Sequence, residues 1–61
     1  MILFTAQKDY PEETLEESVK DIRAGEQCEA VKEGDEYIVY NLDTSHHWVR
    51  MSSEEFEKIK G

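Results

Sequence analysis

Cysteine, proline and glycine are all scarce in this sequence, which holds one, one and three of them in 61 residues. Because Cys28 has no second cysteine to pair with, an intrachain disulfide is excluded, and a lone thiol fits a reducing cytoplasm. The apolar run at residues 1–4 is too short for a membrane span or for the hydrophobic region of a secretory signal. Without repeats or a flexible linker, residues 1–61 are expected to form one cytoplasmic domain with no membrane contact.

Basic side chains are also few, with 7 against 15 acidic ones and a net charge of -8. Such a field repels nucleic acids and anionic lipids, so direct nucleic-acid binding is disfavoured. The imbalance is uneven, because residues 1–36 hold 11 acids and 4 bases. This favours a partner protein with a basic surface, including a nucleic-acid-binding protein.

Strand signals dominate the second half of the chain. Residues 2–6 form a short apolar run, and residues 27–32 and 36–41 flank a turn at 33–35, which predicts a first strand followed by a hairpin. Residues 36–41 are apolar on both faces, as expected for a central strand. Residues 46–51 complete an antiparallel meander of three or four strands.

A helix is predicted over residues 15–24, after the acidic segment that follows Pro11. Thr14 stands three residues before a glutamate, which is capping-box spacing, and Gly25 is suited to end the helix. The apolar stripe of this helix would consist of Leu15, Val19 and Ile22.

A second capping box, Ser52 with Glu55, predicts a short C-terminal helix or turn with Phe56 and Ile59 on its apolar side, ending at Gly61. The fold class is therefore α+β and mainly β. It is expected to be either this meander with its helices or a small barrel.

The order of these signals resembles Src homology 3 domains. Ala-Gln-Lys-Asp-Tyr at residues 6–10, Ile-Arg-Ala-Gly-Glu at 22–26 and Gly-Asp-Glu-Tyr at 34–37 are similar to motifs of that family, as are Trp48-Val49 and Phe56. The resemblance implies a small barrel, and Tyr10 and Phe56 match the family's surface for proline-rich peptides. Lys8 and Glu36 stand where that surface has aromatic residues, so the resemblance implies the architecture rather than peptide recognition.

The sequence contains no motif that predicts catalysis or metal binding. His46 and His47 are adjacent, and neighbours on a strand point to opposite faces, so they are not expected to share an ion. Cys28 is expected to be a small buried hydrophobe. A chain this short has little room for a walled substrate cavity, so we expect no enzyme activity, catalytic residue, metal or cofactor.

The candidate partner-binding residues fall into two groups. The first is an acidic face on the segment of residues 9–21, and the second is an anchor on a sheet face. Because large aromatic side chains dominate small cores, the favoured interpretation of Trp48 is nevertheless a core residue. The acidic group consists of Asp9, Glu12, Glu13, Glu16, Glu17 and Asp21. The anchor group consists of Tyr40, His46 and Trp48.

Two functions fit this sequence. One is an acidic protein-interaction module of bacterial or phage type, which inhibits or adapts a host protein or acts like an antitoxin, with mimicry of nucleic acid as its sharpest form. The other is a structural domain that forms a homodimer by pairing residues 36–41 or its N-terminal strand with a second copy. A third interpretation is that the acids only keep a small domain soluble.

Overall fold

The computed structural model describes residues 1–43 and 48–61 as one open antiparallel sheet with one helix. Its elements are strand β1 (Ile2–Thr5), a 3-10 turn (Glu17–Val19), strands β2 (Gln27–Glu33), β3 (Glu36–Asn41) and β4 (Trp48–Ser52), and helix α1 (Ser53–Lys60). The strands lie in the order β1-β2-β3-β4, which confirms the predicted meander and the central place of β3. The barrel alternative is wrong, since β1 and β4 lie at opposite edges and the sheet does not close.

The β2–β3 hairpin follows the sequence prediction closely. Glu33 pairs with Glu36, which leaves Gly34 and Asp35 as a two-residue turn. Gly34 has a φ of 63°, a conformation that a residue without Cβ adopts at no steric cost. This turn fixes the register of every later pair along the hairpin.

One face of the sheet, the inner face, is covered by α1 and by part of the segment between β1 and β2. Alternate residues of the strands point toward this side, as the period of two requires. The buried core consists of Ala6, Ile22, Cys28, Ala30, Val39, Met51, Phe56 and Ile59.

Phe56 is the centre of the aromatic packing in this core. Its ring stacks on Tyr37 at a centroid distance of 4.0 Å and meets Phe4 edge-on at 5.5 Å. Helix α1 carries Phe56 into place and begins as predicted, because the Ser52 hydroxyl accepts a hydrogen bond from the Glu55 amide at 3.2 Å. The predicted C-terminal helix is confirmed.

The helix predicted over residues 15–24 is wrong. The amides of Asp21 and Ile22 donate to the Tyr10 carbonyl at 2.8 and 3.0 Å, so they do not bond within a helix. The Tyr10 amide in turn donates to the Ile22 carbonyl at 2.7 Å. At the base of this segment the Ala6 amide donates to the Glu26 carbonyl at 2.9 Å, and the Gly25 amide donates to the Ala6 carbonyl at 2.8 Å. Together with the Tyr10–Ile22 bridge, these bonds make residues 6–26 one closed loop, called here the long first loop, whose single helical segment is the 3-10 turn.

The residues expected to form the apolar stripe of that helix differ in burial within the loop. Ile22 enters the core, whereas Leu15 is 99% exposed and Val19 is 49% exposed. The Thr14 hydroxyl accepts from the Glu16 amide, a local turn contact rather than the predicted cap to the third amide. Gly25 has the expected positive φ of 95°, but it belongs to a turn and ends no helix.

Candidate partner-binding surface

The opposite side of the sheet, called here the open face, has no layer packed on it within residues 1–43 and 48–61. Its strand residues alternate with those of the core and are exposed, except for Glu29 and Ile38, which are half-buried. The side chains on this face are Leu3, Thr5, Gln27, Glu29, Val31, Glu33, Glu36, Ile38, Tyr40, Trp48, Arg50 and Ser52.

A single row of side chains crosses all four strands of the open face. Glu29 lies opposite both Leu3 and Tyr40, and Tyr40 lies opposite Trp48. Leu3 is 68% exposed, Tyr40 37% and Trp48 60%. The row therefore holds two partly or largely exposed aromatic side chains on neighbouring strands, with Glu29 lying between this pair and an exposed leucine at the sheet edge.

The interpretation of Trp48 as a core residue is wrong. On β4 the inward positions are Val49 and Met51, and the period of two sends Trp48 and Arg50 to the open face. The alternative, in which Tyr40 or Trp48 stands on a sheet face, agrees with the structure for both residues.

A shallow depression of about 290 Å³ lies beside this row, toward the end of β3. It is lined by Glu29, Val31, Tyr40, Asn41 and Leu42. Val31 and Leu42 are each about two-fifths exposed, which extends the apolar surface along the strands. The open face thus carries apolar and aromatic side chains among polar ones, with a shallow recess and not a deep pocket.

The charges of the open face are distributed unequally. Arg50 lies 3.3 Å from both Glu33 and Glu36, and hydrogen bonds to Glu36 and charge from Glu33 raise the pKa of its guanidinium above the ordinary value. Glu29, in contrast, makes no ion pair and no side-chain hydrogen bond to any other residue that the structure describes. Within the part of the chain that the structure describes, the one carboxylate of this row thus has no counter-charge.

Asp9, the first of the predicted acidic residues, has a structural role in the long first loop. Its carboxylate accepts from the Ala24 amide at 2.9 Å and pairs with Lys20 Nζ at 3.1 Å. The amide hydrogen bond first, and the Lys20 contact second, hold the pKa of Asp9 below its ordinary value. These contacts bring the two ends of the loop together.

Two of the other predicted loop acids have cationic neighbours in the chain, and three have none in the described residues. Glu12 lies 3.9 Å from Lys8, and Glu17 lies 3.4 Å from Arg23. Glu13, Glu16 and Asp21 are exposed. The predicted acidic surface is therefore partly neutralised by its own chain.

The structure separates the acidic group from the anchor group. Glu12 and Glu13 border an open cleft of about 600 Å³, together with Tyr10, Pro11, and Glu55 and Lys58 of α1. Since α1 covers the inner face, these acids lie away from Tyr40 and Trp48. His46 lies outside the described residues.

Cys28 is fully buried, as the sequence predicts. Burial is the main cause that raises the pKa of its thiol to about 11, with smaller effects from Glu26 and Asp43. A thiol in this state is a poor nucleophile. Among residues 1–43 and 48–61, no three His, Cys, Asp or Glu side chains gather as metal ligands, and no helix has the length and apolarity to cross a bilayer.

Comparison with protein-family models, curated proteins and solved structures finds no match for this chain. The surface must therefore be interpreted from its own residues. Sequence reasoning missed Leu3, Glu29, Val31 and Leu42. The signal for Glu29 and Val31 was present, since a hairpin centred on residues 34–35 places residue 29 opposite Tyr40 and residue 31 opposite Ile38.

Proposed function

We propose that this chain is a protein-interaction module that binds another protein through the open face of its sheet. The observation that carries the proposal is the exposed Tyr40–Trp48 pair in neighbouring strands. Tryptophan and tyrosine are the side chains most enriched among residues that dominate binding energy at protein interfaces. An exposed pair on a regular sheet provides a rigid anchor for such a contact.

The size of the domain strengthens the argument. A chain of 61 residues has few large side chains for its core, yet its one tryptophan stands on the surface. Val31 and Leu42 line one depression with Tyr40, the partner of Trp48, so these side chains form a contiguous patch rather than a scattered set of single residues. Contiguous apolar patches on small proteins are typical of interaction sites.

Binding of a basic partner through the long first loop has less support. Asp9, Glu12 and Glu17 each have a cationic neighbour within the chain, which reduces the charge available to a partner. Roles as a bacterial or phage inhibitor, an adaptor or a nucleic-acid mimic remain proposals that depend on the partner. Net charge supports electrostatic attraction of a basic protein to any of these surfaces.

We also infer that any kinship with Src homology 3 domains concerns the long first loop and not a peptide groove. The Tyr10–Ile22 bridge closes a long loop after β1, in the place where those motifs occur. Phe56, one of the two matching aromatic positions, is 1% exposed and packs in the core. Recognition of proline-rich peptides through Phe56 has no support in this geometry.

Affinity capture with matched variants tests the proposed function. Wild type, Trp48→Ala and Leu15→Ala would be used on lysate of the cells that produce the protein. Leu15 is the matched control, because it is an exposed apolar residue outside the sheet. We expect at least one protein to be captured by wild type and Leu15→Ala but lost with Trp48→Ala. The same captured proteins with all three folded variants would contradict the proposal.

A further inference from the structure

We propose that the open face binds an apolar segment of another protein that carries a lysine or arginine, and that this cation pairs with Glu29. The inference rests on the proposed function and adds the chemistry of the partner. It begins from the one carboxylate in the row that runs from Leu3 to Trp48.

Glu29 has apolar side chains at three of its four nearest positions on the open face, and Gln27 occupies the fourth. Leu3 and Tyr40 are its cross-strand neighbours, and Val31 follows two residues later on the same face. Glu29 is half-buried even without a partner. A protein that covers this row must remove most of the remaining water from the carboxylate, and an unpaired buried charge is strongly unfavourable.

The partner must therefore supply a counter-charge at this point. Lysine or arginine provides donors to the carboxylate, whereas an entirely apolar segment leaves it desolvated and unpaired. Rejection of such segments gives the surface specificity as well as affinity. The net charge of -8 attracts a cationic segment before contact is made.

Arg50 does not meet this need within the chain. Its guanidinium bonds to Glu33 and Glu36, both at 3.3 Å, and these two carboxylates are thereby neutralised in part. The requirement for an added cation is consequently concentrated at Glu29. This distribution of charge predicts where in the bound segment the cation lies, namely against the centre of the row and beside the Tyr40 ring.

A second copy of this chain is a poor occupant of the same face. Two copies face to face would combine two faces that each carry three carboxylates, Glu29, Glu33 and Glu36, against the single cation Arg50, which is already engaged. Like charges across an interface are unfavourable, and each copy carries a net charge of -8.

The dimensions of the face lead to the same conclusion. Three gaps of about 4.8 Å between strands and five residues at about 3.3 Å give a patch of roughly 14 by 17 Å, or about 240 Å². A stable interface between two proteins buries roughly 800 Å² on each side. The open face suits one short segment bound transiently.

A library of random linear 12-residue peptides displayed on phage provides the probe. Wild type serves as bait, and the most enriched peptide is then synthesised and titrated against wild type and three variants. Trp48→Ala removes the aromatic anchor, and Glu29→Gln removes the central charge. Glu54→Gln is the matched control, because it makes the same change of net charge at an exposed position of α1, the helix that covers the inner face.

We expect enriched peptides to combine apolar residues with at least one lysine or arginine. The dissociation constant should rise about tenfold or more for Trp48→Ala and about tenfold for Glu29→Gln, as for loss of a charge-assisted hydrogen bond of about 1.5 kcal/mol. Glu54→Gln should change it less than about twofold, since an exposed distant charge is largely screened. Replacing the peptide's cation by glutamine should remove the effect of Glu29→Gln.

The two proposals fail in different ways. Peptides whose affinity falls with Trp48→Ala but not with Glu29→Gln would overturn the cation proposal and leave the proposed function intact. Binding insensitive to both variants, or no enrichment by the folded bait, would count against both proposals. A dimer in analytical ultracentrifugation that Trp48→Ala abolishes would assign the face to a second copy and overturn the cation proposal.

Discussion

The same strands form both faces of the sheet, yet one face is mostly buried and the other is mostly exposed. Phe4 on the inner face packs against Phe56, while its neighbour Leu3 on the open face is 68% exposed. Val49 and Trp48 show the same contrast on β4. The period of two alone separates them, and a cover of helix and loop decides which side becomes core.

The comparison teaches that the aromatic side chains lie in two different environments in this domain. Phe4, Tyr37 and Phe56 pack with one another beneath α1 and stabilise the fold. Tyr40 and Trp48 have no such cover in the described residues and are available for binding. Substitutions on the two faces should therefore separate stability from partner binding.

The largest effect is expected for Phe56→Ala. Loss of a buried aromatic ring costs about 3–5 kcal/mol, which is most or all of the stability of a small domain. Urea denaturation followed by circular dichroism measures it. Leu3→Ala on the open face is the control and should change the free energy of unfolding by less than about 0.5 kcal/mol. Equal losses for the two variants would break the distinction between the faces.

A smaller effect is expected from the ionisation of Cys28 on the inner face. Since burial raises the pKa of this thiol from 9.0 to about 11, the folded state holds the proton more tightly than the unfolded state. The resulting stabilisation is complete below pH 9 and is lost as the pH rises through about 11. Its size is about 2–3 kcal/mol by this shift.

Cys28→Ala provides the control for that measurement, because alanine does not titrate. The wild-type free energy of unfolding should fall more steeply than that of Cys28→Ala between pH 9 and pH 11. Parallel curves would show that Cys28 is accessible to water, and the inner face would then be less well covered than described here.

Asp9→Asn tests the loop that covers the inner face. The pKa of Asp9 is lowered by the Ala24 amide and by Lys20, so its stabilisation is present above the ordinary pKa of 3.8 and is lost as the pH falls through the folded value. Wild type should exceed Asp9→Asn in stability at pH 7, and the difference should shrink below pH 3.8. Asp21→Asn, at an exposed position of the same loop, should have a smaller effect at pH 7; equal losses would contradict the assigned role.

The smallest effect on stability is expected for Trp48→Ala. An exposed side chain contributes little to the free energy of unfolding, and the change should stay within about 0.5 kcal/mol. Acrylamide should quench the fluorescence of this single tryptophan efficiently in the folded protein. Weak quenching together with a loss of several kcal/mol would show that Trp48 belongs to the core, and the contrast between the faces would fail.

Local sequence patterns were sufficient for the hairpin and for the C-terminal helix. The turn at residues 34–35 needs only its glycine and the flanking β-branched and aromatic residues, and its register follows from the turn length. Helix α1 needs only the Ser52 cap and a hydrophobic side at Phe56 and Ile59. Each of these signals lies within a few residues of the structure that it specifies.

The helix predicted over residues 15–24 does not form, because a carbonyl outside the segment accepts hydrogen bonds from two of its amides. The Tyr10 carbonyl accepts hydrogen bonds from the Asp21 and Ile22 amides across the loop, and no sequence pattern within residues 15–24 indicates this contact. Propensity and caps contribute about 1 kcal/mol each, so tertiary contacts outweigh them readily.

The candidate site was predictable only in part. Tyr40 and Trp48 were identified as possible anchors, but the sequence favoured a buried Trp48, because alternation assigns two faces without stating which one is covered. Glu29 and Leu3 join the same row only once β1 pairs with β2. Local sequence patterns do not predict pairing between strands that are so far apart in the sequence.

The amino-acid sequence by itself determined the strands, their alternation, the hairpin turn and the capped final helix, since each depends on interactions between near neighbours. Only the tertiary structure decided that α1 and the long first loop cover one face and leave Glu29, Tyr40 and Trp48 in a row on the other. That choice depends on contacts between segments distant along the chain, and their total free energy outweighs local preference.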